Sequence, residues 1–341
     1  MTTIDLSEHL KLVNTEDGKY KGLIFDHSDQ LVVSNFPVIE EIVIENTDSK
    51  DSKDSKDSKD SNDSETEYFE FIEGSILRVY YFKDEWHIST NGRLDAFTSF
   101  WANPESFGKQ FENLIFTLTR EQLDFDEFCC GLDQEYNYFF LLPTFENNRL
   151  GVLEDRMKFY LVGLEHTKDH TLLSGSSLPS YTRGFTNHQL WSYPARITKE
   201  QAFQEGAIVF SSITGVMTKL MTPEYKSNMD LRNNEPNLYK RYLELLCLDP
   251  IKAEQLKNMH RQVNFDYVIN QAIRDLVLYT YRCYVHRFIY KEQIKVSQVI
   301  HFFLGLCHKK YLETRTRMTE DVVMEVFFQQ PVENVFFLLF S

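Results

Sequence analysis

The chain has 341 residues, enough for two domains with buried cores, and a net charge of −15 at pH 7. So acidic a body argues against non-specific grip on nucleic acid, which needs Lys and Arg to neutralise phosphates. Its five cysteines are odd in number, irregularly spaced and without a C-x-x-C pair, which argues against a zinc or disulfide framework and for reduced thiols.

In chain order, residues 1–45 read as short strands and turns, with Pro37 stopping any central strand there. Residues 47–67 are low in complexity: D-S-K is written four times in 48–59, and no apolar residue is available to offset the entropy of ordering. A disordered surface loop is expected, with a charged binding tail or a phosphorylation target as alternatives. Residues 68–95 read as a hairpin, with a strand at 76–82, a turn at 83–85 and a returning strand at 86–89. Residues 96–131 are mainly helical, since Phe107, Phe111, Leu114, Ile115 and Leu118 recur at helical spacing.

Strands follow at 136–142 and 159–164, separated by a polar loop containing Arg149. Residues 173–193 are loop-rich, 199–204 form a short helix, and 205–210 and 216–221 are the last strands. From Leu238 the pattern turns helical, over 237–248, 251–262, 265–287, 295–314 and 320–328. The polar stretch 228–236 reads as a linker. The organisation is therefore α+β over 1–230 and all-helical over 237–341. The first ten residues lack a signal-peptide pattern, and the apolar run 335–340 is too short to span a membrane, so a soluble cytoplasmic protein is expected.

The hairpin is headed by F-I-E-G-S at 71–75, where a glycine lets backbone approach a phosphate-bearing ligand closely. Other stretches keep it company: Y-K-G-L-I-F-D at 20–26 with N-F-P at 35–37, S-T-N-G at 89–92, Y-F-F at 138–140 with N-R-L at 148–150, E-G-A-I-V at 205–209, and K-L-M-T at 219–222 with Tyr225. In order and spacing, along nearly the whole chain, these resemble the motifs of phage-type ATP-dependent RNA ligases, especially the versions found in large DNA viruses.

The resemblance implies a nucleotidyltransferase core of antiparallel sheets flanked by helices, with an added helical tail. It also implies a chemistry in which a lysine amine attacks the α-phosphorus of ATP and forms lysyl–AMP. The AMP passes to an RNA 5′-phosphate, and a 3′-hydroxyl displaces it. A lysine suits this because positive neighbours lower its pKa. Carboxylates hold ribose and Mg²⁺, and further lysines stabilise phosphate charge.

The chain departs from that pattern where the chemistry lies. Phe71 stands in the nucleophile position, Phe139 in the slot of a glutamate, and Met221 in that of the second lysine of the last motif. Lys21 replaces an arginine and Glu73 an aspartate, whereas Gly74, Ser75, Arg149, Glu205 and Lys219 remain. Loss of charge in one pocket is coherent if the remaining charges pair, and Glu205 with Lys219 is the expected pair.

Elsewhere, His286, His301, His308 and Cys307 lack the further ligands a metal needs, so no metal site is expected. Neither a Walker loop nor G-x-S-x-G occurs. Lys309, Lys310, Arg315 and Arg317 read as a solvated helix face, with a phosphate or partner contact as the alternative. The leading expectation is a non-catalytic relative of the RNA ligases that binds nucleotide or RNA or partners an active paralogue. The alternatives are an active ligase with another nucleophile, requiring ATP and Mg²⁺, and a virion protein reusing the fold.

Overall fold

A computed structural model describes residues 1–44, 66–119, 123–143, 158–178, 191–211 and 216–340. The D-S-K repeat and Arg149 lie outside the described residues. The chain divides into two compact units, Met1–Met229 and Asp230–Ser341.

In the first unit, β1 (Thr2–Leu6), β2 (Leu10–Asn14), β3 (Leu23–Asp26) and β4 (Leu31–Val33) form an antiparallel meander. After β5 (Glu40–Val43) and β6 (Thr66–Glu70) come β7 (Ser75–Phe82) and β8 (Glu85–Thr90), the expected hairpin. These join β9 (Tyr136–Leu142), β10 (Tyr160–His166) and β11 (Leu172–Leu173) in a five-stranded antiparallel sheet of order β11-β10-β9-β7-β8. A third sheet, of order β5-β13-β12-β6, contains β12 (Ala207–Ser211) and β13 (Met217–Met221). Its β5–β13 pair runs parallel, a departure from the all-antiparallel expectation. No hairpin ties β5 to β13, so turn geometry does not impose their relative direction.

Strict alternation in β7 and β9 places two cores on opposite faces of the five-stranded sheet. Leu77, Val79, Tyr138, Phe140 and Leu142 face helices α1 (Phe107–Thr119) and α2 (Phe125–Cys129). There Phe111, Phe128, Phe140 and Phe159 meet mostly edge to face, with ring centroids 5.2–6.3 Å apart. Tyr80 and Phe139 face the other way, against Leu10, Leu12, Ile24, Val33 and Phe36 of the meander side. Gly163 makes room there, because a Cβ on it would lie 2.5 Å from the Phe36 ring. Helix α3 (Lys199–Glu205) starts on a Thr198 capping box and precedes β12.

Residues 228–236, expected as a linker, are instead partly helical: α4 (Pro223–Arg232) runs through the division between the units. Arg232 is buried, and its guanidinium donates to the Glu235 and Pro236 carbonyls. The second unit contains α5 (Leu238–Leu248), α6 (Pro250–Met259), α7 (Ala272–Tyr284), α8 (Gln298–Thr314), α9 (Glu320–Phe328) and α10 (Val332–Phe340). Wider π-helical turns, Asp266–Gln271 and Val285–Ile289, flank α7. Phe303, Leu304, Val323, Phe327 and Val335 are among the residues at its core. Among the described residues no helix is long and apolar enough to cross a membrane.

Candidate functional site

Lys219 is central in the third sheet, where β13 lies between β5 and β12. Its side chain is nearly withdrawn from water, and its Nζ is 3.3 Å from Glu41 Oε1 and 3.4 Å from the Tyr225 hydroxyl. Glu41 is placed by register, since it faces Lys219 across the parallel β5–β13 pair. Tyr225 comes from the first turn of α4, and Met229, one turn on, brings its sulfur to 3.8 Å of Nζ.

Phe71 completes the arrangement. It follows β6 directly, and its ring centroid is 4.4 Å from Lys219 Nζ, with the Tyr225 centroid at 4.8 Å. The two rings meet edge to face at 5.1 Å and 89°. An ammonium held this way is attracted by both π-faces and by a carboxylate, which compensates for its lost hydration. Phe71, expected from the sequence to stand in a nucleophile position, is a ring that covers a lysine. A phenyl ring has no lone pair with which to attack phosphorus.

Glu73, Gly74 and Ser75 lead from Phe71 into β7. Gly74 is required by close approach, because a Cβ there would lie 2.7 Å from the Leu142 carbonyl oxygen. Glu205, by contrast, is not the partner of Lys219. It ends α3 with an exposed side chain, Gly206 follows at φ +87°, and the residue opposite Lys219 in the register is Ile208. The helix end carries Glu205 out of the sheet, and Glu41 takes the pairing. Sequence reading missed Glu41, whose only signal was a pair of acids between β-branched residues in V-I-E-E-I-V at 38–43.

Lys21, Phe139 and Met221 do not converge around the Lys219 ammonium. Met221 is buried in β13 opposite Val43. Phe139 packs edge to face on Phe36 at 5.1 Å. Lys21 is exposed, and its backbone carbonyl accepts from Asn35 Nδ2, which also donates to Asn91 Oδ1 at 3.0 Å. Beside it Arg78, opposite Phe139 in the register, is wholly buried and donates to the carbonyls of Gly22 and Thr90.

Burial pulls the Arg78 guanidinium down to about 10, against the opposing charge of Glu165. Glu165 is itself buried and accepts from Ser34 N, Asn137 Nδ2 and His170 Nδ1 at 2.9–3.1 Å. The motifs at 20–26, 35–37 and 89–92 thus meet as a polar seam between two sheets. Among the described residues no group of three or more His, Cys, Asp and Glu is placed to hold a metal ion.

No family model matches the chain. Over 92% of its length it is 23% identical to an immediate-early protein ICP-46 homolog of Invertebrate iridescent virus 6, spanning 75% of that protein. It is also 25% identical, over 63% of its length, to the ICP-46 homolog of Invertebrate iridescent virus 3, of which it spans about half (48%). Both relatives are viral proteins, so the chain has viral kin over most of its length.

Proposed function

We propose that the chain is an RNA-ligase-like protein that no longer forms lysyl–AMP and acts by binding, as a non-catalytic nucleotide- or RNA-binding or partner protein in the infected cell's cytoplasm. The observation that carries this reading is the Phe71 ring 4.4 Å from Lys219 Nζ. A cation that would serve a phosphate is committed to two rings and to Glu41, and no amine stands at the nucleophile position. The relatives' designation as immediate-early proteins favours a role at the start of infection over a part of the virion.

Intact-protein mass spectrometry after incubation with ATP and Mg²⁺, with labelled ATP as the sensitive companion, tests the reading. No adduct that survives denaturation is expected. A stable gain of one AMP would overturn it and direct attention to the modified lysine.

A further inference from the structure

The second unit contains a feature that net charge conceals. Residues 282–317 carry eight Lys or Arg against two Glu, a local charge of +6 in a chain of −15. Both acids have partners: Glu292 meets His286 Nδ1 at 2.6 Å, and Glu313 lies 3.9 Å from Lys309.

The cations are threaded with aromatic rings in a continuous row. Arg287 donates to His301 Nε2 at 3.3 Å, and its guanidinium carbon lies 5.7 Å from the Phe288 centroid. Phe288 stacks on His308 at 4.0 Å and 9°, and His308 on Tyr311 at 6.0 Å and 23°. Arg315 closes the row, 5.9 Å from the Tyr311 centroid. His301 and Arg315 are exposed, as are the flanking Lys291, Lys295, Lys309 and Arg317, whereas Arg287, Phe288, His308 and Tyr311 are half-buried. From His301 to Arg315, α8 and its cap span about 21 Å at 1.5 Å per residue, room for several nucleotides.

Two features of the backbone hold this row. The π-helical turn Val285–Ile289, closed by Tyr290 N donating to Val285 O at 3.0 Å, presents Arg287 and Phe288 toward α8. Such turns are rare and frequent at functional sites. On α8, His301 and His308 are seven residues apart and share one face, and Arg315, the left-handed cap that ends the helix, follows them.

We propose that this Arg–Phe–His–Tyr–Arg row is a binding face for single-stranded nucleic acid, with Arg287, Arg315 and the flanking lysines on phosphates and the ring edges beside the bases. A positive track interleaved with aromatics is the arrangement that suits a strand whose bases are unpaired. The inference stands apart from the reading of the Lys219 site, and the ATP experiment does not bear on it.

The test is fluorescence anisotropy of a labelled oligouridine with the full chain, at low and at physiological salt. Native protein binds at low salt. Arg287→Gln/Arg315→Gln weakens binding about tenfold and flattens the salt dependence of log K by about 1.4, about 0.7 for each phosphate no longer neutralised. Lys295→Gln/Arg317→Gln, at exposed positions, weakens it in the same direction with an unchanged melting temperature. Lys109→Gln/Lys168→Gln removes the same charge from the first unit and leaves affinity unchanged. The proposal is overturned if the native chain fails to bind the oligonucleotide at low salt, or if the first-unit control loses as much as the row variants. Binding to phosphatidylserine vesicles without binding to the strand would overturn it equally.

Discussion

The ammonium of Lys219 lies 4.4 Å from the centre of the Phe71 ring, with Tyr225 and Glu41 as its other neighbours. If the ring's quadrupole holds the charge, the two residues are energetically coupled. In a cycle of Phe71→Leu, Lys219→Met and the double variant, a coupling of about 1 kcal/mol is expected from urea unfolding. Leu keeps the apolar cover while removing the π-face, so a coupling of zero would mean that Phe71 acts only as a hydrophobic lid.

Gly22 takes φ +73°, and a Cβ there would lie 2.6 Å from the Asn91 carbonyl oxygen. Left-handed backbone and backbone-to-backbone crowding act together, so Gly22→Ala is expected to destabilise by roughly 2–4 kcal/mol. A Cβ on Gly92 would have nothing within 4 Å, and Gly92→Ala serves as the control with a change of under about 1 kcal/mol. Equal effects at the two sites would remove the steric argument for Gly22.

These two sites show what is legible in the sequence. Y-K-G and S-T-N-G stand out as motifs, and they meet through Gly22, Asn35 and Asn91 because local pattern and strand register agree there. The hairpin, α9 and most of the helical tail are legible from periodicity alone. The partner of Lys219 is not, because Glu41 reaches it through a parallel pairing across 178 residues of sequence, which no local pattern encodes. Nor is α4, whose polar residues offer no apolar stripe to read. The row on α8 is legible only in part: His308, Tyr311 and Arg315 are near one another in the sequence, but the fold brings Arg287 and Phe288 to them.

Arg78 is the largest commitment of charge to the first unit's interior. Its guanidinium spans from the Gly22 carbonyl to the Thr90 carbonyl, with Glu165 as the opposing charge. Arg78→Met leaves both carbonyls without that donor and the buried Glu165 carboxylate without its opposing charge, at an expected cost of about 3–5 kcal/mol. Adding Glu165→Gln is expected to recover part of the loss, since it removes the stranded charge. A double variant no more stable than Arg78→Met would show that the two groups are not coupled.

The five thiols are free and differ sharply in setting. Cys130 is exposed at the end of α2, whereas Cys129, one residue earlier, is buried. Burial pushes the Cys129 thiol above its ordinary value and raises Cys307 to about 12. The thiolate is the reactive species, so iodoacetamide at pH 8 is expected to modify Cys130 rapidly in the native protein and to spare Cys129 and Cys307 until denaturant is added.

The same shift fixes a sign for stability. Between the ordinary thiol value of 9.0 and about 12, native Cys307 keeps a proton that the unfolded chain has released, so its contribution is complete below pH 9 and falls as pH rises through that window. Peptide mapping after timed alkylation, together with urea midpoints at pH 8 and pH 10, checks both statements. Native Cys307 labelled as fast as Cys130, or a midpoint unchanged at pH 10 in a Cys307→Ala comparison, would show that the α8 core does not hold this thiol protonated.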